Sequence, residues 1–355
     1  MRLIMAGGGT GGHLFPGLAV AHEFLRRDTM TEILFVGTEQ GIESRVLPRE
    51  GFSLATIPIR GMKGRGLSGF LQALCGIPLS LFRSVWIISR FRPECIVGLG
   101  GYASGPLLLV GKVMGIRCAI MEQNLRPGFT NRILGWIVDR IFTSYEESAA
   151  YFRRAKVVET GNPVRWQTLP EIKKGEKFTL LIFGGSAGAH KINLCAIEAM
   201  QRLRDFNVGL QVIHQTGEAD FASIKTAYGS LPFEAQVLPF IDRMDEAYAR
   251  ADLVLCRAGA GTVAELTAFG KPAILVPYPY AAYDHQRWNA ESLKERGAAE
   301  VILDGEMTGE KLAEQIRSLY LDRKRLEDMQ QAARRLGRPE AAQRIVNECY
   351  AFVQR

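Results

Sequence analysis

What the chain lacks narrows its class first. Its six cysteines (Cys75, Cys95, Cys118, Cys195, Cys256, Cys349) form no C-x-x-C pair and are spread over 355 residues. Several sit in apolar runs such as Cys95-Ile96-Val97 and Leu255-Cys256, so buried reduced thiols are expected rather than a disulfide framework. No H-E-x-x-H and no close His/Cys cluster occurs, which excludes the common zinc sites. No G-x-x-x-x-G-K-[ST] occurs, which excludes a P-loop ATPase. No D-x-D pair stands in a suitable loop, so no metal held by protein carboxylates is expected. The apolar start Met1–Ala6 runs into glycines and is too short for a signal-peptide core, so nothing in it leads the chain out of the cytosol.

What is present is globular. Hydrophobic residues make up 47% and charged residues 23%, enough for two ordinary domains. The formal charge of +7 suits phosphates, nucleic acid or an anionic membrane without choosing among them. Short β-branched runs alternate with helical patterns: Leu3–Ala6, Ile33–Val36, Cys95–Val97, Cys118–Met121 and Ile141–Thr143, then Thr179–Phe183, Gly209–His214, Ala235–Leu238, Asp252–Cys256 and Ala273–Val276. That rhythm predicts an α/β fold with parallel sheets and crossover helices.

The layout is duplicated. A strand, a glycine loop and a helix start occur at Leu3–His13 and again at Thr179–His190, which predicts two Rossmann-like domains. Turn chemistry at Gly161-Asn162-Pro163 marks the joint, giving domains 1–162 and 163–338 and a terminal helix over 339–355 packing back on the first. Two further glycine segments, Gly98–Pro106 and Cys256–Glu265, also follow strands and open helices. Glycine lets backbone approach a phosphate, and a helix start offers unpaired N–H groups, so four such loops predict a cleft for a large phosphorylated ligand.

Gly7-x-Gly9-x-x-Gly12 satisfies the dinucleotide fingerprint, but Thr38 stands where its acidic residue belongs and Glu39 is one step late. Gly184-x-Ser186-x-Gly188 matches a nucleophile elbow, with Asp252 and His285 in the required order, yet a hydrolase leaves the first loop unexplained. Leu67–Ser89 breaks the rhythm: it is apolar, interrupted by Gly69, Gly76, Pro78 and Arg83, and flanked by Arg60, Lys63, Arg65, Arg90 and Arg92. An apolar surface ringed by cations suits an anionic leaflet; a buried helix pair is the alternative.

At these residues the chain resembles the GT-B glycosyltransferases, and among them the peptidoglycan enzymes that convert lipid I to lipid II. The matching segments are Gly8–His13, Gly100-Gly101-Tyr102 with Ser104-Gly105-Pro106, Glu122-Gln123-Asn124, Gly161–Arg165, Gly184-Gly185-Ser186 with Gly188-Ala189, the loop through Glu265, and His285-Gln286 with Asn289-Ala290. The resemblance implies two Rossmann-like domains facing across a cleft. It implies inverting transfer of N-acetylglucosamine from UDP to the MurNAc 4-hydroxyl of undecaprenyl-linked lipid I, for cell-wall synthesis. His13 is the implied base, with Glu122 second. Against UDP-GlcNAc it places Thr10, Gly11, Gly12, Asn124, Arg165, Ser186, Ile241, Ala260, Gly261, Thr262, Val263, Ala264, Glu265 and Gln286. Against the acceptor it places Gly100, Gly101, Tyr102 and Asn193, with the Thr10–His13 loop also reaching the lipid diphosphate. No cofactor is implied, although a divalent ion can enter on the substrate diphosphates. The implied setting is peripheral, on the cytoplasmic face of the inner membrane, beside cell-wall assembly proteins and without nucleic acid. Another glycolipid or natural-product glycosyltransferase, a UDP-sugar epimerase, and a non-catalytic nucleotide-binding scaffold are the alternatives.

Overall fold

The structure, a computed structural model, describes residues 1–39, 41–59, 66–166, 168–172, 175–205 and 209–354, without the side chains of 66–75. The chain divides into two compact units, Met1–Arg165 with Arg338–Arg355, and Trp166–Gly337.

The first unit begins β1 (Arg2–Gly7), α1 (Gly11–Arg27), β2 (Glu32–Gly37), α2 (Glu43–Val46), β3 (Ser53–Thr56) and α3 (Gly66–Phe91). It continues β4 (Cys95–Gly100), α4 (Ser104–Val113), β5 (Arg117–Glu122), α5 (Phe129–Leu134), β6 (Arg140–Thr143) and β7 (Val157–Glu159). All pairings are parallel, in the order β3-β2-β1-β4-β5-β6-β7. Its central strands are apolar on both faces because helices cover both. Leu3, Met5 and Val97 pack with Leu14, Leu18 and Phe24 of α1 on one face. Ile4, Ala6 and Ile96 pack with Leu107 and Leu108 of α4 and Ile87 and Ile88 of α3 on the other.

The second unit runs β8 (Phe178–Phe183), α6 (His190–Leu203), β9 (Leu210–Gln215), α7 (Phe221–Tyr228), β10 (Glu234–Leu238), α8 (Met244–Arg250) and β11 (Leu253–Cys256). There follow α9 (Ala260–Ala268), β12 (Ala273–Leu275), α10 (His285–Glu295), β13 (Ala299–Val301), α11 (Gly309–Leu321) and α12 (Arg323–Leu336). This sheet is also parallel, in the order β10-β9-β8-β11-β12-β13. The last helix, α13 (Ala341–Val353), belongs to the first unit. Its Ile345, Val346, Cys349 and Phe352 are buried in the α1 core. At about 1.5–3 kcal/mol per buried large side chain, several kcal/mol hold it there.

Two switch points follow from these strand orders. The sheet reverses direction of growth between β1 and β4 in the first unit and between β8 and β11 in the second. At such a point adjacent loops diverge to opposite faces and leave a crevice beyond the carboxyl ends of the strands, where ligands of open α/β sheets bind. The four glycine segments read from the sequence are the loops after β1, β4, β8 and β11.

Helix α3 buries Ile87 and Ile88 but also turns two serines inward and large apolar side chains outward. Ser80 and Ser84 face inward and are fully buried, their hydroxyls donating to the carbonyls of Pro58, Gly76 and Ser80. Leu79, Phe82, Val85 and Trp86 face outward. Arg60, Lys63 and Arg65, read from the sequence as a basic flank, lie outside the described residues. Five of the six cysteines are buried and free; the side chain of Cys75 lies outside the described residues.

Candidate functional site

In the first unit the loops after β1 and β4 meet backbone to backbone. Gly8 N–H donates to the Gly100 carbonyl at 3.3 Å. A side chain at Gly7 would collide with that carbonyl, and one at Gly101 would lie 2.8 Å from the Gly8 carbonyl. Gly7, Gly8, Gly9, Gly100 and Gly101 all have positive φ, so only glycine fits this contact without strain. His13, half-buried in the first turn of α1, packs its ring edge on Gly100, where a Cβ would lie 2.8 Å from Cδ2. Its Nδ1 is 3.3 Å from the Thr10 hydroxyl. Gly12 and Tyr102 are exposed, and Thr10 and Gly11 border them.

The brace under this loop was not read from the sequence. Glu43, 1% exposed, accepts the Gly9 N–H at 2.8 Å, the Thr38 N–H at 2.8 Å and the Thr38 hydroxyl at 3.0 Å. Gly8, Gly37 and Gly41 are glycines because a Cβ at any of them would strike this carboxylate. Glu43 therefore fills, from inside the protein, part of the anion site that the fingerprint led one to expect. A clue was available: Gly37 and Gly41 lie in a short acidic segment that ends in Glu43.

Two of the expected residues have their side chains engaged within the protein. Glu122 is 2% exposed, with one oxygen accepting Asn124 N–H at 3.0 Å and the other accepting Gly128 N–H at 3.2 Å and the Asn131 amide at 2.8 Å. Burial raises its pKa, opposed by those hydrogen bonds from Asn124, Asn131 and Gly128. With its oxygens engaged internally, it holds the segment 122–131 in shape and is not placed to take a proton from a substrate. Asn193, expected at the acceptor, belongs to the second unit and is fully buried. Its amide donates to the Thr216 carbonyl at 2.8 Å and to Asp220 at 2.7 Å, and its oxygen pairs with His214 Nε2 at 3.0 Å. No face of it is left for a ligand.

Of the residues expected on the donor, Thr10, Gly11, Gly12, Asn124 and Arg165 belong to the first unit. The Arg165 guanidinium lies 4.5 Å over the Phe15 ring. The others lie in the second unit, after β8, β10, β11 and β12. Ser186 is exposed at the tip of the loop after β8, which is tightened by Gly185 and Gly188 at positive φ. A Cβ on Gly188 would run into the Thr216 carbonyl. Gln215, 2% exposed, donates to the Gly185 carbonyl at 2.8 Å and accepts the Ile241 N–H at 2.9 Å, tying this loop to the one after β10. Ile241 thus has its N–H engaged.

After β11, Gly259 caps α9 with no side-chain hydrogen bond. The amides of Ala260, Gly261 and Thr262 open the helix without intrahelical partners, next to the positive end of its dipole. Val263 and Ala264 continue that turn. Glu265, one turn on, receives the Tyr248 hydroxyl at 3.0 Å. Gln286 starts α10 and accepts the Tyr278 N–H at 3.0 Å. Arg257 braces this last loop, donating to the carbonyls of Val276 and Pro277 at 3.2 Å and to Asp304 at 2.6 Å. The hydrolase alternative fails on geometry. Asp252 stands before β11 and accepts the Thr179 N–H at 2.8 Å, at the opposite end of the sheet from Ser186.

Two doubly wound units with paired glycine loops at each switch point, the second adding an open helix start and a fixed carboxylate one turn beyond, define a GT-B glycosyltransferase. The family models agree. Residues 3–143 match the glycosyltransferase family 28 N-terminal domain and residues 179–345 its C-terminal domain. The chain belongs to glycosyltransferase family 28. It is 49% identical over 362 residues to the UDP-N-acetylglucosamine–N-acetylmuramyl-(pentapeptide) pyrophosphoryl-undecaprenol N-acetylglucosamine transferase of Geobacter sulfurreducens, covering 100% of each chain. The crystal structure of Acinetobacter baumannii MurG superposes with a TM-score of 0.80 at 32% identity, over 98% of each chain. A putative UDP-N-acetylglucosamine 2-epimerase from Listeria monocytogenes superposes with a TM-score of 0.73 at 13% identity, over 99% of this chain and 96% of the other. That last likeness concerns the fold alone.

Proposed function

We infer that the chain is an inverting transferase moving N-acetylglucosamine from UDP to the 4-hydroxyl of MurNAc in undecaprenyl-linked lipid I, giving lipid II for peptidoglycan. The observation that carries this is the 49% identity along the whole length of a transferase of that name. The second switch point suits the donor. Loop amides after Ser186 and the α9 start receive the diphosphate, where charge develops as UDP leaves. Glu265 accepts the ribose hydroxyls, and Gln286 exchanges its Tyr278 contact for a sugar hydroxyl. Any divalent ion arrives on the diphosphates.

The first switch point suits the acceptor. His13 is the base for the 4-hydroxyl: its ring sits in the crevice, Thr10 orients Nδ1, and an imidazole takes a proton near neutral pH. Glu122 positions the neighbouring segment instead. The apolar outer face of α3, with Val113 and Met114 at the end of α4 and Phe129, Ile133 and Trp136 in and after α5, is the surface that meets the membrane. Arg83 lies 4.4 Å over the Trp86 ring and Arg153 5.0 Å over that of Trp136, which puts cations at the level of interfacial tryptophans. None of the helices in the described residues is long and apolar enough to cross a membrane.

Radiolabelled UDP-N-acetylglucosamine with a short-chain lipid I analogue in detergent tests the reading. A β-1,4 disaccharide product is expected, and UDP binding without turnover would overturn it. His13→Ala should lower kcat by roughly 100- to 10,000-fold with the donor KM little changed. Retained turnover would remove His13 as the base.

A further inference from the structure

In the second unit the loop after β8 is shaped by the loop after β9, with which it locks backbone to backbone. A Cβ on Gly188 would run into the Thr216 carbonyl, and one on Gly217 into the Ala187 carbonyl. Both glycines have a φ of 78°, which other residues adopt only with strain. Residues 185–188 therefore follow wherever Thr216 and Gly217 are held. On the β10 side the Thr216 N–H donates to the Leu238 carbonyl at 3.0 Å, and the Gly217 N–H to the Pro239 carbonyl at 3.1 Å. On the α6 side the hold is the Asn193 amide, which donates at 2.8 Å to the same Thr216 carbonyl that Gly188 abuts.

One carboxylate orients that amide. Asp220, immediately before α7, accepts the Asn193 amide at 2.7 Å with one oxygen and faces His190 Nδ1 at 2.9 Å with the other. His190 and Asn193 form the first turn of α6, the helix into which the loop after β8 leads, so Asp220 clasps that turn from outside. Burial pushes the Asp220 carboxyl up, but hydrogen bonds from His190 and Asn193 outweigh it and hold the pKa below its ordinary value. It is therefore an ionised acceptor at neutral pH. Without it, an N–H of the fully buried Asn193 amide loses its acceptor, and the amide is free to leave the Thr216 carbonyl. We propose that Asp220 is a positioning residue for the donor diphosphate. Through Asn193 and Thr216 it fixes the backbone of residues 185–188 in the shape that receives the phosphates. The role rests on the reading of the second unit as the donor side, and it deepens that reading. Its effect falls on the diphosphate and not on the ribose contact given to Glu265.

The test measures binding of UDP and of uridine to the full chain by calorimetry, together with steady-state transfer. Asp220→Ala should weaken UDP by roughly tenfold and raise the UDP-N-acetylglucosamine KM to match. Its kcat should stay within about twofold and its uridine affinity should not change. Asp220→Asn keeps an oxygen for the Asn193 amide and should restore UDP affinity to within about threefold of wild type. Equal weakening of UDP and uridine would overturn the proposal, since loosening of the whole unit spares neither ligand. A fall in kcat with KM unchanged would overturn it as well. Asp220→Asn as damaging as Asp220→Ala would make charge, not the hydrogen bond, the cause, and would overturn it too. Should Asp220→Ala fail to fold, Asp220→Ser takes its place, with the same split between UDP and uridine expected. A wild-type chain that does not bind UDP would remove the donor reading itself. Wild-type binding with an indifferent Asp220→Ala would remove only the role of Asp220.

Discussion

At the first switch point the loop after β1 rests on a buried carboxylate, whereas at the second the loop after β8 rests on neutral amides. Glu43 accepts the Gly9 N–H and is shielded by three glycines. Gln215 donates to the Gly185 carbonyl, and the Asn193 amide holds Thr216 against Gly188. Asp220, the carboxylate of that second network, stands one step back, paired with His190 and Asn193. A charged brace cancels part of the positive field of a loop and helix start; a neutral brace leaves it in place. The second unit is thus the better built to hold a diphosphate and stabilise charge on it. The first presents the His13 imidazole beside the Thr10 hydroxyl instead.

The sharpest way to break this comparison is at the second loop. Gly188→Ala sets a Cβ against the Thr216 carbonyl at a positive φ of 78°. It should cost more than about 3 kcal/mol and abolish UDP binding, read by calorimetry and Tm. UDP binding at wild-type affinity would separate the donor from this loop. Next comes Glu43→Ala, which strands the N–H groups of Gly9 and Thr38. A loss of about 2–4 kcal/mol is expected, with acceptor turnover falling while UDP affinity holds. A fall in UDP affinity instead would blur the contrast between the units.

The neutral network also sets a pH dependence. Asn193 presents its oxygen to His214 Nε2, so that nitrogen carries the proton and Nδ1 accepts the Tyr228 hydroxyl at 3.1 Å. Burial pushes the His214 pKa down to about 3 from 6.5. The unfolded chain binds the proton throughout that interval and the folded chain does not, so stability falls as pH drops from about 6.5 towards 3. The loss is on the order of a few kcal/mol, and His214→Gln should flatten the curve of Tm against pH over that range. An unchanged slope would remove His214 as its source. The smallest effect is expected at Tyr248→Phe, which frees Glu265 from its orienting hydroxyl. It should raise the UDP-N-acetylglucosamine KM by roughly fivefold with kcat nearly unchanged. An equal fall in kcat would point to general loosening.

Much of the architecture was legible because buried parallel strands announce themselves as continuous β-branched runs. Leu3–Ala6, Cys118–Met121 and Thr179–Phe183 each lie inside an observed strand. The strands missed were β3, β7 and β13, each of three or four residues at a sheet edge. With one neighbour and partial exposure, they need little of the apolar signal that marks a central strand. The glycine loops were legible for a related reason: close backbone approach excludes every other residue, so chemistry and sequence coincide.

Composition and spacing alone therefore determined the class of fold, the duplication and the four loops, while the structure turned Leu79, Phe82, Val85 and Trp86 of α3 outward. Tertiary structure decided which polar side chains reach the loop surfaces and which are buried in the protein. Glu122 and Asn193 carry the same chemistry as Glu265 and Gln286, yet the first two are buried with their hydrogen bonds filled by backbone and neighbours. Glu43 became the floor of a loop for the same reason. A carboxylate or amide states in sequence only that it must be satisfied; its partners come from strands and loops distant in the chain, and only the fold brings them within about 3 Å.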